Sequence, residues 1–227
     1  MTNLTDVFFD LDHTLWDFDK NSALAFKRVF KKHNIALDTN RFLEEYEPIN
    51  LKYWRLFRED KVTKEELRRG RLIDAFSQFE IKYPLKEIDA MAISYIDELP
   101  VDNHLFKGAI DVLEYLSKKY TLHIITNGFH EVQHLKLKKS GIYTYFKTVT
   151  TSEEVGLKKP NPIIFKKALL KASAHPESSL MIGDSFEADI LGAKAIGMQT
   201  MYYNYRKTKP VENQIFVNDL FEIKKLI

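Results

Sequence analysis

The chain has 227 residues, no cysteine, 44% hydrophobic and 29% charged residues, and a formal net charge of +2. That balance excludes a disordered polymer, a disulfide-stapled scaffold, thiolate catalysis and cysteine-ligated zinc. It gives no global electrostatic reason to bind a nucleic-acid polymer or a membrane surface, and no apolar stretch reaches the roughly 20 residues that span a bilayer.

The first element is an apolar run, Val7-Phe8-Phe9, which reads as a buried strand. Asp6 and Asp10 interrupt it, so it is no signal peptide, and a cytoplasmic location is the default expectation. Asp10-Leu11-Asp12-His13-Thr14 follows at once. Two carboxylates one residue apart at a strand end point the same way, where an open α/β sheet places its ligands. Crowding them costs energy unless a cation or a reaction uses them. On its own the pair also fits a solvated acidic turn.

From about Asp19 to Leu99 the pattern is helical. Ala23, Phe26, Val29 and Phe30 recur at helical spacing, then Tyr46, Ile49, Tyr53, Trp54 and Phe57, then Leu67, Ile73, Phe76 and Phe79. Thr63-Lys64-Glu65-Glu66 forms a capping box for the third helix. Leu85, Ile88, Met91, Ala92, Tyr95 and Ile96 mark a fourth, stopped near Pro100.

Beyond Gly108 the texture alternates. Helices are expected at 110–118, 131–140, 162–172, 187–196 and 220–226, with Gly141 and Gly197 as stops. Apolar or β-like runs fall at 122–125, 147–150, 180–182, 199–203 and 215–217. The lysine pairs within helices, such as Lys138-Lys139, read as solvated faces. Alternation of this kind predicts an α/β fold: a doubly wound parallel sheet, Rossmann-like, with an inserted all-helical cap. The expected division is a core from residues 1–16 and 100–227 and a cap from 17–99, placed where it could cover the site and select the substrate.

Four predicted strand ends or helix starts carry polar groups: Asp10 and Asp12; Thr126-Asn127-Gly128; Lys158-Lys159-Pro160; and Gly183-Asp184-Ser185 with Asp189 beyond. Singly, the last three read as a turn, an exposed lysine and a helix N-cap. In one sheet their loops converge on one crevice. A hydroxyl, a lysine and several carboxylates there describe a Mg²⁺ and phosphate site.

This ordered set resembles the four motifs of the haloacid dehalogenase-like superfamily, over essentially the whole chain, helical cap included. A narrower resemblance, carried by Trp16-Asp17-Phe18-Asp19, Ile49-Asn50, Trp54, Lys61-Val62-Thr63 and Arg71, is to the bacterial pyrimidine 5′-nucleotidase subfamily. The resemblance implies a Mg²⁺-dependent phosphomonoester hydrolase with Asp10 as nucleophile, forming an aspartyl-phosphate, and Asp12 as general acid and base. It implies Thr126, Asn127 and Lys159 as phosphate-binding groups. It implies Asp10, Asp12 and Asp184 as metal-holding groups, the second through its backbone carbonyl, with Asp189 supporting them. An acid at position 12 favours phosphate chemistry over dehalogenation.

The implied partner is a small phosphate ester, a nucleoside monophosphate first. His13, Asn50, Trp54 and Arg71 are the candidate substrate-lining residues. By pattern alone, Trp54 also fits a helix core, Asn50 and Arg71 a solvated or structural role, and His13 a turn. A sugar-phosphate phosphatase, a hexose-phosphate mutase and a non-catalytic binding protein are the competing readings, and two acids at 10 and 12 argue against the last.

Overall fold

Short apolar runs alternating with helices build a six-stranded sheet whose paired neighbours all run parallel, in the order β3-β2-β1-β4-β5-β6. The computed structural model describes residues 3–209 and 212–227. In chain order, β1 (Asp6–Phe9) is followed by α1 (Phe18–Lys32), α2 (Thr39–Arg58), α3 (Lys64–Ser77) and α4 (Leu85–Glu98). Then come α5 (Ala109–Leu116), β2 (Thr121–Thr126), α6 (His130–Lys139), β3 (Phe146–Thr151), α7 (Ser152–Val155) and α8 (Pro162–Ala172). β4 (Ser179–Gly183), a π-helical turn (Phe186–Leu191), α9 (Gly192–Lys194), β5 (Gln199–Tyr203), β6 (Phe216–Val217) and a 3₁₀ segment (Leu220–Lys225) complete it.

Two compact units result, one from residues 1–18 and 103–227, the other from 19–102. These boundaries fall two or three residues beyond those expected from sequence.

In the first unit β1 is central. Asp6 pairs with Thr121 on one side and Ser179 on the other. Strands so placed are covered on both faces, which is why Val7, Phe8 and Phe9 form a continuous apolar run, all fully buried. Phe8, Ile125 and Met181 pack with Ile164, Phe165, Ala168 and Leu169 of α8. Each of these side chains larger than alanine contributes roughly 1.5–3 kcal/mol through removal from water. Strand order reverses between β1 and β4, the point outside whose carboxyl ends an open α/β sheet places its ligands.

The second unit is wholly helical, with an aromatic interior. Phe26 lies 4.4 Å from Tyr95, 4.6 Å from Tyr46 and 5.0 Å from Phe42, centroid to centroid. The expected capping box is present: Thr63 accepts from Glu66 N–H at 3.1 Å, and Glu66 accepts from Thr63 N–H at 2.7 Å.

Two expectations need correction. The helix expected over 187–196 is a π-helical turn followed by one short α-helical turn. The helix expected over 220–226 is a 3₁₀ segment, capped by Asp219, which accepts from Phe221 N–H at 2.9 Å. Among the described residues no helix is long and apolar enough to cross a membrane.

Candidate active site

Three loops at the carboxyl ends of β1, β2 and β4, and the loop before α8, bring the motif residues together. Asp10 N–H continues the ladder past β1, donating to Ile182 O at 2.9 Å. Its side chain therefore emerges at the switch between β1 and β4, only 8% exposed. The chain then turns tightly. Leu15 and Trp16 N–H both donate to Leu11 O, and His13 takes a left-handed φ of 61°. Thr14, fully buried, ties this turn to β4: its hydroxyl accepts from Asp184 N–H at 3.1 Å.

Lys159 is the charge at the centre. Its ammonium donates to Asp10 Oδ1 at 2.6 Å and Ile125 O at 2.7 Å, and lies 2.7 Å from Asp189 Oδ1. Asn127 fixes the lysine from behind. Its side-chain oxygen accepts from Lys159 N–H at 2.8 Å and its NH₂ donates to Lys159 O at 2.9 Å. The Asn127 amide is thus spent on holding Lys159, which leaves the Asn127 backbone N–H as its candidate phosphate contact. Thr126 ends β2, 1% exposed, and its hydroxyl accepts from Gly128 N–H at 3.1 Å.

One carboxylate oxygen from each of Asp10, Asp184 and Asp189 can be chosen so that all lie within 4.8 Å of one another. Burial pushes the Asp10 carboxyl up to about 7; the charges of Asp189 and Asp12 add to this and Lys159 opposes it. Burial likewise holds Asp184 well above its ordinary value, with the charges of Asp10 and Asp189 adding. Burial alone would lower Lys159, but Asp10 and Asp189 outweigh it and raise it. Crowded oxygen donors without histidine suit a hard divalent cation, whose charge removes the repulsion. Asp189 is the most engaged of the three: Oδ1 faces Lys159 and Oδ2 accepts from Ser185 N–H at 3.0 Å.

Asp12 points elsewhere. Its Oδ1 accepts from Lys136 at 2.5 Å and its Oδ2 from Gln133 at 3.0 Å. These two α6 residues were not anticipated. The signal available was that both sit on the buried stripe of their helix, between Val132 and Leu137, where an apolar residue is expected.

Of the substrate-lining candidates, His13 belongs to the sheet unit and Asn50, Trp54 and Arg71 to the helical unit. His13 pairs through Nδ1 with Tyr205 Oη at 2.8 Å. Arg71 and Asn50 meet inside the helical unit, where Arg71 donates to Asn50 Oδ1 at 3.0 Å and lies over the rings of Tyr95 and Tyr46. They are 2% and 5% exposed and pack within that unit. Trp54 is half-buried, edge-on to Phe57 at 5.7 Å.

Residues 7–203 match the model of the haloacid dehalogenase-like hydrolase family. Pyrimidine 5′-nucleotidase PynA of Streptococcus pneumoniae is 34% identical over 87% of this chain and 83% of its own. A glyceraldehyde 3-phosphate phosphatase of Methanothermobacter thermautotrophicus is 31% identical over 96% and 93%. The crystal structure of the HAD-hydrolase YfnB of Bacillus subtilis, bound to magnesium, superposes with a TM-score of 0.90 at 28% identity, covering 99% of each chain.

Proposed function

We propose that this chain, which belongs to the haloacid dehalogenase-like hydrolases, is a Mg²⁺-dependent phosphomonoester hydrolase that works through a phosphorylated Asp10. A pyrimidine nucleoside monophosphate is the proposed substrate. The observation that carries the chemistry is the pairing of Asp10 with Lys159 at 2.6 Å, inside a three-carboxylate cluster at the sheet's switch point. A carboxylate so placed serves as nucleophile, and its buried lysine offsets the charge of an incoming phosphoryl group.

In the proposed first step an Asp10 oxygen forms a bond to phosphorus and the ester oxygen leaves, taking a proton from Asp12. In the second, Asp12 takes a proton from water as the water oxygen bonds to phosphorus, and the bond to Asp10 breaks. Thr126 and the Asn127 N–H hold phosphoryl oxygens, and Lys159 faces both nucleophile and phosphate. Asp10, the Asp12 carbonyl and Asp184, with Asp189 supporting them, would hold Mg²⁺, which would supply positive charge to offset that of the nucleophile and the phosphate. The magnesium-bound YfnB structure and the crowded carboxylates both support that choice of ion.

Similarity to PynA supports the nucleotide assignment. Similarity to a glyceraldehyde 3-phosphate phosphatase favours a sugar phosphate as the second reading. Phosphate release from a panel of nucleoside monophosphates and sugar phosphates, with Mg²⁺ or EDTA, tests both. Mg²⁺-dependent release concentrated on pyrimidine monophosphates is the expected result. Release from sugar phosphates instead would replace the substrate and keep the site; no release from any ester would overturn the hydrolase reading.

A further inference from the structure

Asp12 is held by both oxygens, and by donors that cannot accept. Lys136 Nζ donates to Oδ1 at 2.5 Å; Gln133 Nε2 donates to Oδ2 at 3.0 Å. Both donors are buried, at 2% and 0% exposure. The Gln133 amide nitrogen also donates to Thr126 Oγ1 at 2.7 Å, so one amide joins Asp12 to the threonine at the end of β2. Lys136 is further set by aromatic faces, its ammonium 4.2 Å from the Trp16 ring centroid and 5.3 Å from that of Phe18. Gly128 makes room for the arrangement: a Cβ there would lie 2.3 Å from the Gln133 side chain.

An ammonium and an amide N–H only donate, so both Asp12 oxygens act as acceptors in this geometry. Oxygens oriented as acceptors are placed to take a proton from water. We propose that Lys136 and Gln133 are positioning residues that orient the Asp12 carboxylate for the second half-reaction, in which water attacks phosphorylated Asp10. The inference rests on the two-step reading above. In that step the water proton passes to an Asp12 oxygen, the water oxygen bonds to phosphorus, and the Asp10 oxygen leaves as carboxylate. A carboxylate fixed at both oxygens has one orientation in which to meet that water. Misplacement of a catalytic group by about 1 Å can cost 10²-fold in rate.

The two half-reactions separate with p-nitrophenyl phosphate, whose leaving group departs without an acid. Stopped-flow release of nitrophenolate, with Mg²⁺, is followed in the wild type, Lys136→Met, Lys136→Arg, Gln133→Leu and Asp12→Asn. Intact-protein mass of quenched samples reports the phosphate adduct. Lys136→Met is expected to keep a rapid first turnover, accumulate the adduct and lose roughly 10²-fold in steady-state rate. Lys136→Arg is expected to recover part of that loss. Gln133→Leu also releases Thr126, so it is expected to slow the first turnover somewhat and the later ones more, and that inequality decides the matter if Lys136→Met does not fold. Equal slowing of the first and later turnovers, or no change in either, would overturn the positioning role. An adduct trapped by Asp12→Asn but by neither α6 variant would remove Lys136 and Gln133 while leaving Asp10 in place. No adduct in any of the proteins would remove phosphorylated Asp10, and this inference with it.

Discussion

At the scale of single residues, the site is a problem of buried charge. Asp10, Asp184 and Asp189 face one ammonium, that of Lys159, and Asp10 is consequently pushed from the ordinary 3.8 up to about 7, with burial the largest cause. Asp10→Asn removes one of the crowded negative charges without changing shape. It is expected to abolish turnover while leaving the metal-free protein at least as stable as the wild type at pH 8, measured by thermal unfolding in EDTA. The pH dependence has a definite sign. Between about 4 and 7 the folded metal-free protein keeps a proton on Asp10 that the unfolded chain has lost. This group's contribution to stability therefore falls as pH rises through that window. Mg²⁺ competes with that proton, so the gain in Tm on adding Mg²⁺ should be larger at pH 8 than at pH 5. Equal gains at the two values would disconnect the ion from Asp10.

Among the elements, those with a clear apolar period were legible and those shaped by a side chain bonding to nearby backbone were not. β1, β2, β4 and β5 show their apolar runs directly, and the Thr63 capping box announces α3. The turn at Phe186–Leu191 has the composition of an α-helix, yet Asp189 folds back to accept from Ser185 N–H and the ladder widens to a π-turn. Periodicity cannot register that competition. For the same reason the motif residues were legible and their supports were not. Asp10, Thr126 and Asp184 lie at the ends of strands and Lys159 in the loop before a helix, whereas Gln133 and Lys136 are single polar residues on a buried stripe. Gly183 is the backbone counterpart of that fold-back, since a Cβ there would lie 2.2 Å from Asp189 Oδ2. Gly183→Ala must displace Asp189. It is expected to lower kcat by at least 10-fold through loss of support for Lys159, a cost in the range of misplaced catalytic groups. Unchanged kinetics would show that the Asp189 contact is dispensable.

For the molecule as a whole, the division into a sheet unit and a helical unit gives each its own interior. Phe26, Phe42, Tyr46 and Tyr95 close the helical unit, and Arg71 is set among them with Asn50 as its acceptor. A cation over aromatic rings with a charged hydrogen bond is worth about 2–3 kcal/mol. Arg71→Ala is expected to destabilise the protein by about that amount in urea unfolding. KM for a pyrimidine nucleoside monophosphate should stay near the wild-type value. A large change in KM with unaltered stability would instead put Arg71 in contact with substrate.

The place of β1 has a bearing on how the molecule is made. β1 leaves the ribosome before both strands it pairs with, which begin at Thr121 and Ser179. During synthesis β1 must wait for both, and loop closure over such distances is slow compared with local contacts. Residues 19–102 are contiguous, so the helical unit is complete in the nascent chain while the strand bearing Asp10 is still unpaired on its β4 side. Asp10 is thus translated well before Lys159 and Asp184, which arrive only with the later strands and loops and complete its surroundings last.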